Sequence, residues 1–219
     1  MRSFLFDIGK VLVDFDLVAF ASKVVHRSPG ALARVLALRA HESLRAVETG
    51  RLSGEEYFES FLRPLAPAWT YRDLVQAWAD VFTPNPVGMA LMEELRDAGE
   101  PVGFLSNLAP FNAEAIEEKI PGFFSLSSRN FLSYEMGCMK PDAEIYRRAC
   151  EGMGARPAEC FFLDDTPECV DGARRAGLRA ELFRTSRMGA IRRAIAEFTP
   201  GALADEAASQ PMTAETPSM

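Results

Sequence analysis

Short apolar runs alternate along this chain with longer segments whose apolar residues recur at helical spacing. Two of the apolar runs, residues 3–7 and 160–165, end on acidic side chains. A short apolar run that stops on an acid is typical of a buried parallel strand whose carboxyl end carries a charge. Since ligands bind at that edge of an open α/β sheet, the pattern predicts a functional site between Asp7 and Asp165.

The second half of the chain continues this alternation. The pattern predicts helices over residues 87–98, 111–119, 143–153, 167–176 and 187–198. It predicts strands between them over residues 102–106, 123–126, 160–163 and 180–183. Helices that alternate with short apolar strands indicate βαβ units. We therefore expect an α/β fold: a Rossmann-like core in which a parallel sheet carries helices on both faces.

Residues 17–86 interrupt the alternation with an almost continuous helical pattern. Residues 31–46 are rich in Ala, Leu and Arg, which favour helices. Ser53, with Glu56 three residues later, forms a capping box that starts another helix. Residues 71–82 predict a further helix, after which a proline-rich breaker follows. The whole stretch indicates a small all-α cap.

The chain therefore divides into three parts. We expect an α/β core made of residues 1–16 and 87–198, with the cap over residues 17–86 inserted after the first strand. Residues 199–219 are rich in Ala, Pro, Ser, Thr and Glu, and this composition favours a mostly disordered tail.

Composition and charge narrow the functional classes. The 219 residues carry a formal net charge of −7, which argues against nucleic-acid and anionic-membrane partners. No apolar stretch reaches the roughly 18 residues that span a bilayer. The four cysteines form no CxxC pair, as in proteins of a reducing compartment. We therefore expect a cytoplasmic protein, monomeric or homodimeric, with no nucleic-acid or membrane partner.

Residues that carry chemistry follow the predicted strand ends in a fixed order. In chain order they are Asp7, Ser106 with Asn107, Lys140 before Pro141, and the pair Asp164 and Asp165. This order, in this strand context, resembles the haloacid dehalogenase (HAD) superfamily. The segment FDIGKVLVD at residues 6–14 is similar to the small sugar-phosphate (glucose-1-phosphate-type) phosphatase subgroup. The helical insertion resembles the type-one cap of that subgroup.

Three carboxylates at one sheet edge repel each other, because at 4 Å each pair costs about 4 kcal/mol at an effective dielectric constant of 20. A divalent cation offsets this repulsion, and oxygen-only ligands favour Mg²⁺. The resemblance implies that Asp7, Asp165 and the backbone carbonyl of Gly9 bind Mg²⁺. It also implies that Asp164 contributes directly or through a water molecule.

The resemblance further implies the roles of the other residues. Asp7 would be the nucleophile that forms an aspartyl-phosphate, which water then hydrolyses. Lys140 would pair with the phosphate oxygens and with Asp7, and Ser106 would donate a hydrogen bond to the phosphoryl group. Asn107 would be a positioning residue. The implied activity is that of a Mg²⁺-dependent phosphatase acting on a small phosphorylated metabolite, with sugar phosphates as one candidate class.

The sequence departs from the family pattern at three positions. Most phosphatases of the superfamily have a second aspartate two residues after the nucleophile, and this chain has Gly9 there, as does the subgroup. General acid–base catalysis typically raises a reaction rate about 10²–10⁴-fold, and Gly9 cannot supply it. We therefore expect substrates with good leaving groups, such as anomeric sugar phosphates or acyl phosphates. Lys10 replaces the usual Asn, and either a phosphate contact or exposure to solvent would fit. Cys169 replaces an Asn found after the acid pair.

Two other functions fit parts of the pattern. A 2-haloacid dehalogenase uses the same nucleophile without a metal, although the pair of acids argues against it. A non-enzymatic binding protein on a HAD fold is the other alternative.

Three polar residues of the insertion lie near the turn at residues 49–51. We expect the side chain of His41 to pack within the insertion or to face solvent. We expect the side chains of Glu48 and Arg51 to be mostly solvated.

Overall fold

A computed structural model describes residues 2–27 and 42–203 of the chain. The strands in chain order are β1 (Ser3–Phe6), β2 (Val13–Phe15), β3 (Phe82–Pro84), β4 (Val102–Ser106), β5 (Arg129–Leu132), β6 (Cys160–Asp164) and β7 (Arg179–Leu182). Five of them form one parallel sheet in the order β5-β4-β1-β6-β7. β2 and β3 form a separate antiparallel pair. The predicted α/β architecture is confirmed.

Helices surround the sheet. The α-helices in chain order are α1 (Leu17–Arg27), α2 (Glu42–Glu48), α3 (Gly54–Tyr57), α4 (Tyr71–Ala79), α5 (Pro86–Asp97), α6 (Pro110–Lys119), α7 (Ser133–Met136), α8 (Ala143–Gly152), α9 (Pro167–Arg175) and α10 (Met188–Phe198). A π-helical turn, Phe58–Leu62, extends α3. Short 3₁₀ turns cover Phe123–Leu126, Pro157–Glu159 and Thr185–Arg187. The predicted capping box of Ser53 and Glu56 is present at the start of α3.

The central strands are apolar on both faces because helices cover both faces. In β1, Phe4 belongs to one buried cluster with Phe104 and Phe161. Leu5, the next residue along β1, belongs to a second cluster with Phe162. Successive side chains of a strand point to opposite faces, so one continuous apolar run supplies both layers.

The insertion between β2 and β3 packs on the core at two places. Helix α4 lies against α6, where the Tyr71 hydroxyl donates a hydrogen bond to Glu114 at 2.6 Å. At the second place, the turn after α2 lies on α7. Gly50 has a φ of +67°, and a Cβ there would lie 2.2 Å from the Tyr134 carbonyl oxygen. This close approach requires glycine.

Residues 123–126 were predicted as a strand, and this prediction is wrong. They form a 3₁₀ turn, and the strand lies six residues later at β5. Phe123 is buried against Phe104, with ring centroids 5.1 Å apart. Strand β5 is at the sheet edge, where Arg129 is exposed. An edge strand has a weaker apolar pattern than a central strand. The apolar run that begins at Phe123 was therefore mistaken for the strand.

The helix predicted over residues 71–82 is too long at its C-terminal end. Helix α4 ends at Ala79, and Phe82 begins β3 instead. Phe82 pairs with Phe15 in β2 and contacts Trp78, with ring centroids 5.4 Å apart. The partner strand comes from the other end of the insertion, so the local pattern could not indicate this pairing.

Several predictions lie outside the described residues. They concern most of the helix over 31–46, the side chain of His41, and the tail beyond residue 203. Helix α2 begins at Glu42, within the last part of that predicted helix, and extends it to Glu48. No helix in the described ranges combines the length and apolar character needed to cross a membrane.

Candidate active site

The acids at the ends of β1 and β6 meet at the carboxyl edge of the sheet. These two strands are neighbours, with Phe6 paired to Leu163, so the residues that follow them lie side by side. Carboxylate oxygens of Asp7, Asp164 and Asp165 all lie within 4.8 Å of one another. Asp7 and Asp164 are buried, and Asp165 is partly buried. The arrangement gathers three acids in a protein interior, which requires compensating positive charge.

Lys140 supplies part of that charge. Its Nζ lies 2.8 Å from Asp7 Oδ1 and 2.5 Å from Asp164 Oδ2, and its side chain is 2% exposed. Burial lowers the pKa of Lys140, but the negative charges of Asp7 and Asp164 outweigh burial and raise it above its ordinary value. Lys140 therefore stays an ammonium that joins the two acids.

The remaining hydrogen bonds fix the orientation of both carboxylates. Asp7 Oδ1 also accepts a hydrogen bond from the Ile8 backbone N–H at 2.8 Å. Asp164 Oδ1 accepts one from the Thr166 backbone N–H at 2.7 Å. Each oxygen of Asp164 thus has a donor of its own, one from Lys140 and one from Thr166. Asp164 is thereby placed to hold the lysine.

Asn107 fixes the backbone that carries Lys140. Its Oδ1 accepts a hydrogen bond from the Lys140 N–H at 2.8 Å, and its Nδ2 donates to the Lys140 carbonyl at 2.9 Å. Asn107 directly follows β4, and Ser106 is the buried last residue of that strand. A hydrogen bond from Ser106 is among the interactions that lower the pKa of Asp7. The residues predicted for the site therefore converge from three neighbouring strand ends and the loop of Lys140.

The charges of the site do not balance within the protein. Three carboxylates face the ammonium of Lys140 and, at Asp165, the guanidinium of Arg184, which donates to the Asp165 carbonyl at 2.7 Å. The remaining excess of negative charge appears in the pKa values. Burial raises the pKa of Asp7 to about 7, against the lowering effect of Lys140, and Asp164 raises it further. Burial, followed by the charge of Asp164, also raises the pKa of Asp165. An all-oxygen cluster with an excess of negative charge fits a hard divalent cation, so these three carboxylates suit Mg²⁺.

The loop after β1 contains two of the three departures from the family pattern, Gly9 and Lys10. A Cβ on Gly9 would lie 3.4 Å from Phe15 Cε1, which is close to ordinary contact. Lys10 has a φ of +59°, in the left-handed region that asparagine tolerates better than most residues. Its Nζ donates to the Phe15 carbonyl at 2.5 Å and lies 4.3 Å from the Phe15 ring centroid. Lys10 thus ties the loop to β2, and its contact with phosphate stays a prediction.

A cavity of about 370 Å³ opens from the acids toward the insertion. Its charged end contains Asp7, Lys140 and Asp165, with Ser106 and Asn107 beside them. Its remaining wall is mostly aromatic and aliphatic. That wall includes Phe15, Leu17, Phe20, Ala21, Leu44, Tyr57, Leu62, Leu74, Trp78, Phe82, Phe111 and Ile116. Sequence patterns gave no sign of this wall, because its members are far apart in the chain.

Three further side chains predicted near the site differ in their placement. Glu48 lies on the cavity wall, and its charge, after burial, helps to raise the pKa of Tyr57 to about 12. Arg51 is exposed, and its Nε donates to Thr49 Oγ1 at 3.2 Å. Cys169 lines the cavity as a buried thiol, and burial raises its pKa to about 12. Cys169 is therefore protonated at neutral pH.

Comparison with known proteins identifies the family to which this chain belongs. The family model of haloacid dehalogenase-like hydrolases matches residues 1–177. The chain belongs to this family. The expected membership of the HAD superfamily is thus confirmed, while the sugar-phosphate subgroup stays a prediction. A Mycobacterium tuberculosis (strain CDC 1551 / Oshkosh) protein named Phosphatase MT3486 is 32% identical over 151 residues, which cover 67% of this chain and 69% of that protein.

Two solved structures show that other HAD proteins share the fold. A protein from Porphyromonas gingivalis described as a predicted HAD-like family hydrolase has a TM-score of 0.76 and 22% identity, with 89% of this chain and 98% of that chain covered. An aspartate-to-alanine mutant of a HAD family enzyme from Bacteroides thetaiotaomicron was crystallised with magnesium and inorganic phosphate. Its TM-score is 0.72 and its identity 20%, with 84% of this chain and 94% of that chain covered.

Proposed function

We propose that this HAD-like hydrolase is a Mg²⁺-dependent phosphomonoesterase whose nucleophile is Asp7. The observation that carries the proposal is the buried cluster in which Lys140 joins Asp7 to Asp164, with Asp165 beside them. The similarity to a protein named as a phosphatase supports the reaction type. The magnesium and phosphate in the Bacteroides enzyme support the choice of metal.

The metal would be held by Asp7, Asp165 and the carbonyl of Gly9. Asp164 would act from a second layer, because both of its oxygens already accept hydrogen bonds from Lys140 and Thr166. When bound, Mg²⁺ would offset the excess negative charge and polarise the phosphoryl oxygens. Lys140 would neutralise part of the negative charge that the phosphate group brings into the site.

Asp7 would attack phosphorus with a carboxylate oxygen, and the bond from phosphorus to the leaving oxygen would break. The leaving group would depart with the electron pair, and a water molecule would then attack the aspartyl-phosphate and release inorganic phosphate. Lys140 would contact the phosphoryl oxygens as a point charge, and Ser106 would donate a hydrogen bond to them. Asn107 would act indirectly, by holding the backbone of Lys140.

The insertion over residues 17–86 would serve as the cap that selects the substrate. It supplies most of the apolar cavity wall, and it contacts the core at α6 and α7. The substrate would be a small phosphorylated metabolite that fits between the acids and this wall. A metal-free dehalogenase fits the site less well, because such a reaction gives no reason to gather three acids around one ammonium.

The test compares phosphate release from a panel of phosphorylated metabolites with Mg²⁺ and with EDTA. We expect release only with Mg²⁺, and a loss of roughly 10⁴-fold or more in Asp7→Asn, which lacks the attacking oxygen anion. Asp171→Asn is the matched control, because Asp171 pairs with Arg174 on the exposed face of α9. Full activity of Asp7→Asn would refute the assignment, as would halide release from a haloacid in EDTA without any phosphatase activity.

A further inference from the structure

Three stacked rings form one side of the cavity beyond Asp7. The Phe20 and Trp78 centroids are 4.2 Å apart at an interplanar angle of 21°, and those of Trp78 and Phe82 are 5.4 Å apart at 22°. The Phe15 ring meets Trp78 edge-on at 6.3 Å. All four rings line the cavity. They provide an apolar, aromatic surface against which another ring can pack.

A second aromatic pair lines the same cavity. Tyr57 from the insertion stacks on Phe111 from the core, with centroids 5.6 Å apart at 24°. The side chains of Leu44, Leu62 and Leu74 fill the wall between aromatic positions. The wall is thus built from rings and branched aliphatic side chains on both the insertion and the core.

Polar partners for a ligand are scarce on this wall. Among the described residues of the insertion that line the cavity, Glu48, Tyr57 and Trp78 carry the polar side-chain groups, a carboxylate, a hydroxyl and an indole N–H. A sugar presents several hydroxyl groups, and each one that is buried without a partner weakens binding by about tenfold or more. A hydrocarbon ring has no such requirement. The wall therefore favours a ring without hydroxyl groups.

The reaction site also favours a leaving group that is stable as an anion. Gly9 stands where most phosphatases of the superfamily have the acid that protonates the leaving oxygen. An alkoxide needs that proton, whereas a phenolate spreads its charge over the ring and departs without it. The absence of the acid at Gly9 and the apolar wall are independent features, and both favour the same leaving group.

We propose that the substrate is a small aryl phosphate, in which the phosphate is attached directly to an aromatic ring. The proposal rests on the phosphatase function given above and narrows its substrate class. A cavity of about 370 Å³ holds a phosphate with one or two rings. Asp7 forms the new bond to phosphorus, the bond to the phenolic oxygen breaks, and the phenolate takes the electron pair. The phenolate acquires its proton from water after release.

Binding tests the substrate class without relying on turnover. Phenylphosphonate and methylphosphonate differ only in the ring, and neither is hydrolysed. Calorimetric titration of the Mg²⁺-loaded protein should give a dissociation constant about 10- to 100-fold lower for phenylphosphonate, because the ring is buried against the aromatic wall. Equal dissociation constants would overturn the proposal, whatever the enzyme hydrolyses.

Turnover measurements test the preference for an aryl leaving group. We expect kcat/KM for phenyl phosphate to exceed that for glucose 1-phosphate by at least about tenfold. Cyclohexyl phosphate matches the ring in size, so its KM should be similar, while its kcat should fall by about 10²-fold because an alkoxide leaves. Faster hydrolysis of glucose 1-phosphate, or of a phosphotyrosine peptide, would overturn the assignment to small aryl phosphates. If no phosphate ester is hydrolysed, the proposed function fails, and ring-selective phosphonate binding would still support the ligand class.

A pair of variants tests whether the ring of phenylphosphonate binds in this cavity. Leu44 lines the cavity and is partly exposed, so Leu44→Gln should keep the fold. It should weaken phenylphosphonate binding about fivefold and leave methylphosphonate binding unchanged. Val18→Gln is the matched control, because Val18 is 76% exposed on α1. If both variants weaken phenylphosphonate binding equally, the ring does not occupy this cavity.

Discussion

The two ends of the cavity are built in opposite ways. At the sheet edge, Lys140 joins Asp7 and Asp164 through contacts of 2.8 and 2.5 Å, and Asp165 lies beside them. Toward the insertion, the wall consists of rings and aliphatic side chains, with Glu48 as the charged group among its described residues there. The charged end is suited to a phosphate and a cation. The apolar end is suited to the group that the phosphate is attached to.

Under the proposed function, this difference would divide reaction and specificity between the core and the insertion. The charged cluster sits on strand ends and on a loop whose backbone makes two hydrogen bonds with Asn107 at Lys140. The apolar wall belongs mainly to an inserted segment that rests on the core through α4 and the turn at Gly50. Substitutions at the charged end should therefore affect stability and the chemical step. Substitutions at the apolar end should change the choice of substrate.

The largest effect on stability is expected from Lys140→Met. This variant leaves Asp7 and Asp164 buried without their common partner, and we expect the free energy of unfolding to fall by about 3–5 kcal/mol in EDTA. Mg²⁺ should restore part of the loss, because the cation would take over the balancing charge. Chemical denaturation with and without Mg²⁺ measures both effects.

Lys23→Met is the matched control for that variant. Lys23 forms an exposed ion pair with Asp80 at 2.8 Å, and such pairs contribute about 0–1 kcal/mol. A loss in Lys140→Met no larger than the loss in Lys23→Met would mean that the charged end does not depend on this ammonium.

A smaller effect, on the chemical step alone, is expected from Gly9→Asp. The structure has room for a Cβ at this position, 3.4 Å from Phe15 Cε1. The new carboxyl group would supply the missing acid, so kcat/KM for cyclohexyl phosphate should rise about 10- to 100-fold. The value for 4-nitrophenyl phosphate should change by less than about threefold, because its leaving group needs no proton.

Gly9→Asn separates acid catalysis from a change in shape. Asparagine has nearly the size of aspartate but cannot donate a carboxyl proton, so steady-state kinetics should show no gain with cyclohexyl phosphate. An equal gain in both variants would mean that the residue at position 9 acts through packing and that the leaving group was never limited by a missing acid.

The smallest effect on catalysis is expected from Gly50→Ala. The left-handed backbone costs about 1–2 kcal/mol for alanine, and the new methyl group would push against the Tyr134 carbonyl. We expect a raised KM for phenyl phosphate with nearly unchanged kcat, because the insertion would shift on the core. Gly99→Ala has a similar backbone cost at a φ of +83° with nothing within 4 Å, so it should lower stability alone. A raised KM in both variants would contradict this interpretation.

Much of the fold was predictable because its signals are local. The strands that deliver Asp7 and Asp164 are continuous apolar runs, and the capping box at Ser53 is a four-residue pattern. Strand β5 was misplaced, since an edge strand with exposed Arg129 has little apolar periodicity. Strand β3 was missed because it exists only by pairing with β2, some 70 residues away in the chain.

The sequence by itself determined which acids stand at the strand ends, their order along the chain, and the absence of an acid at Gly9. These are properties of single positions and of short periodic runs. Only the tertiary structure decided that Asp164 holds Lys140, that Asn107 holds the backbone of that lysine, and that rings line the cavity. The physical reason is that such contacts join segments from distant parts of the chain, and packing, rather than local pattern, selects them.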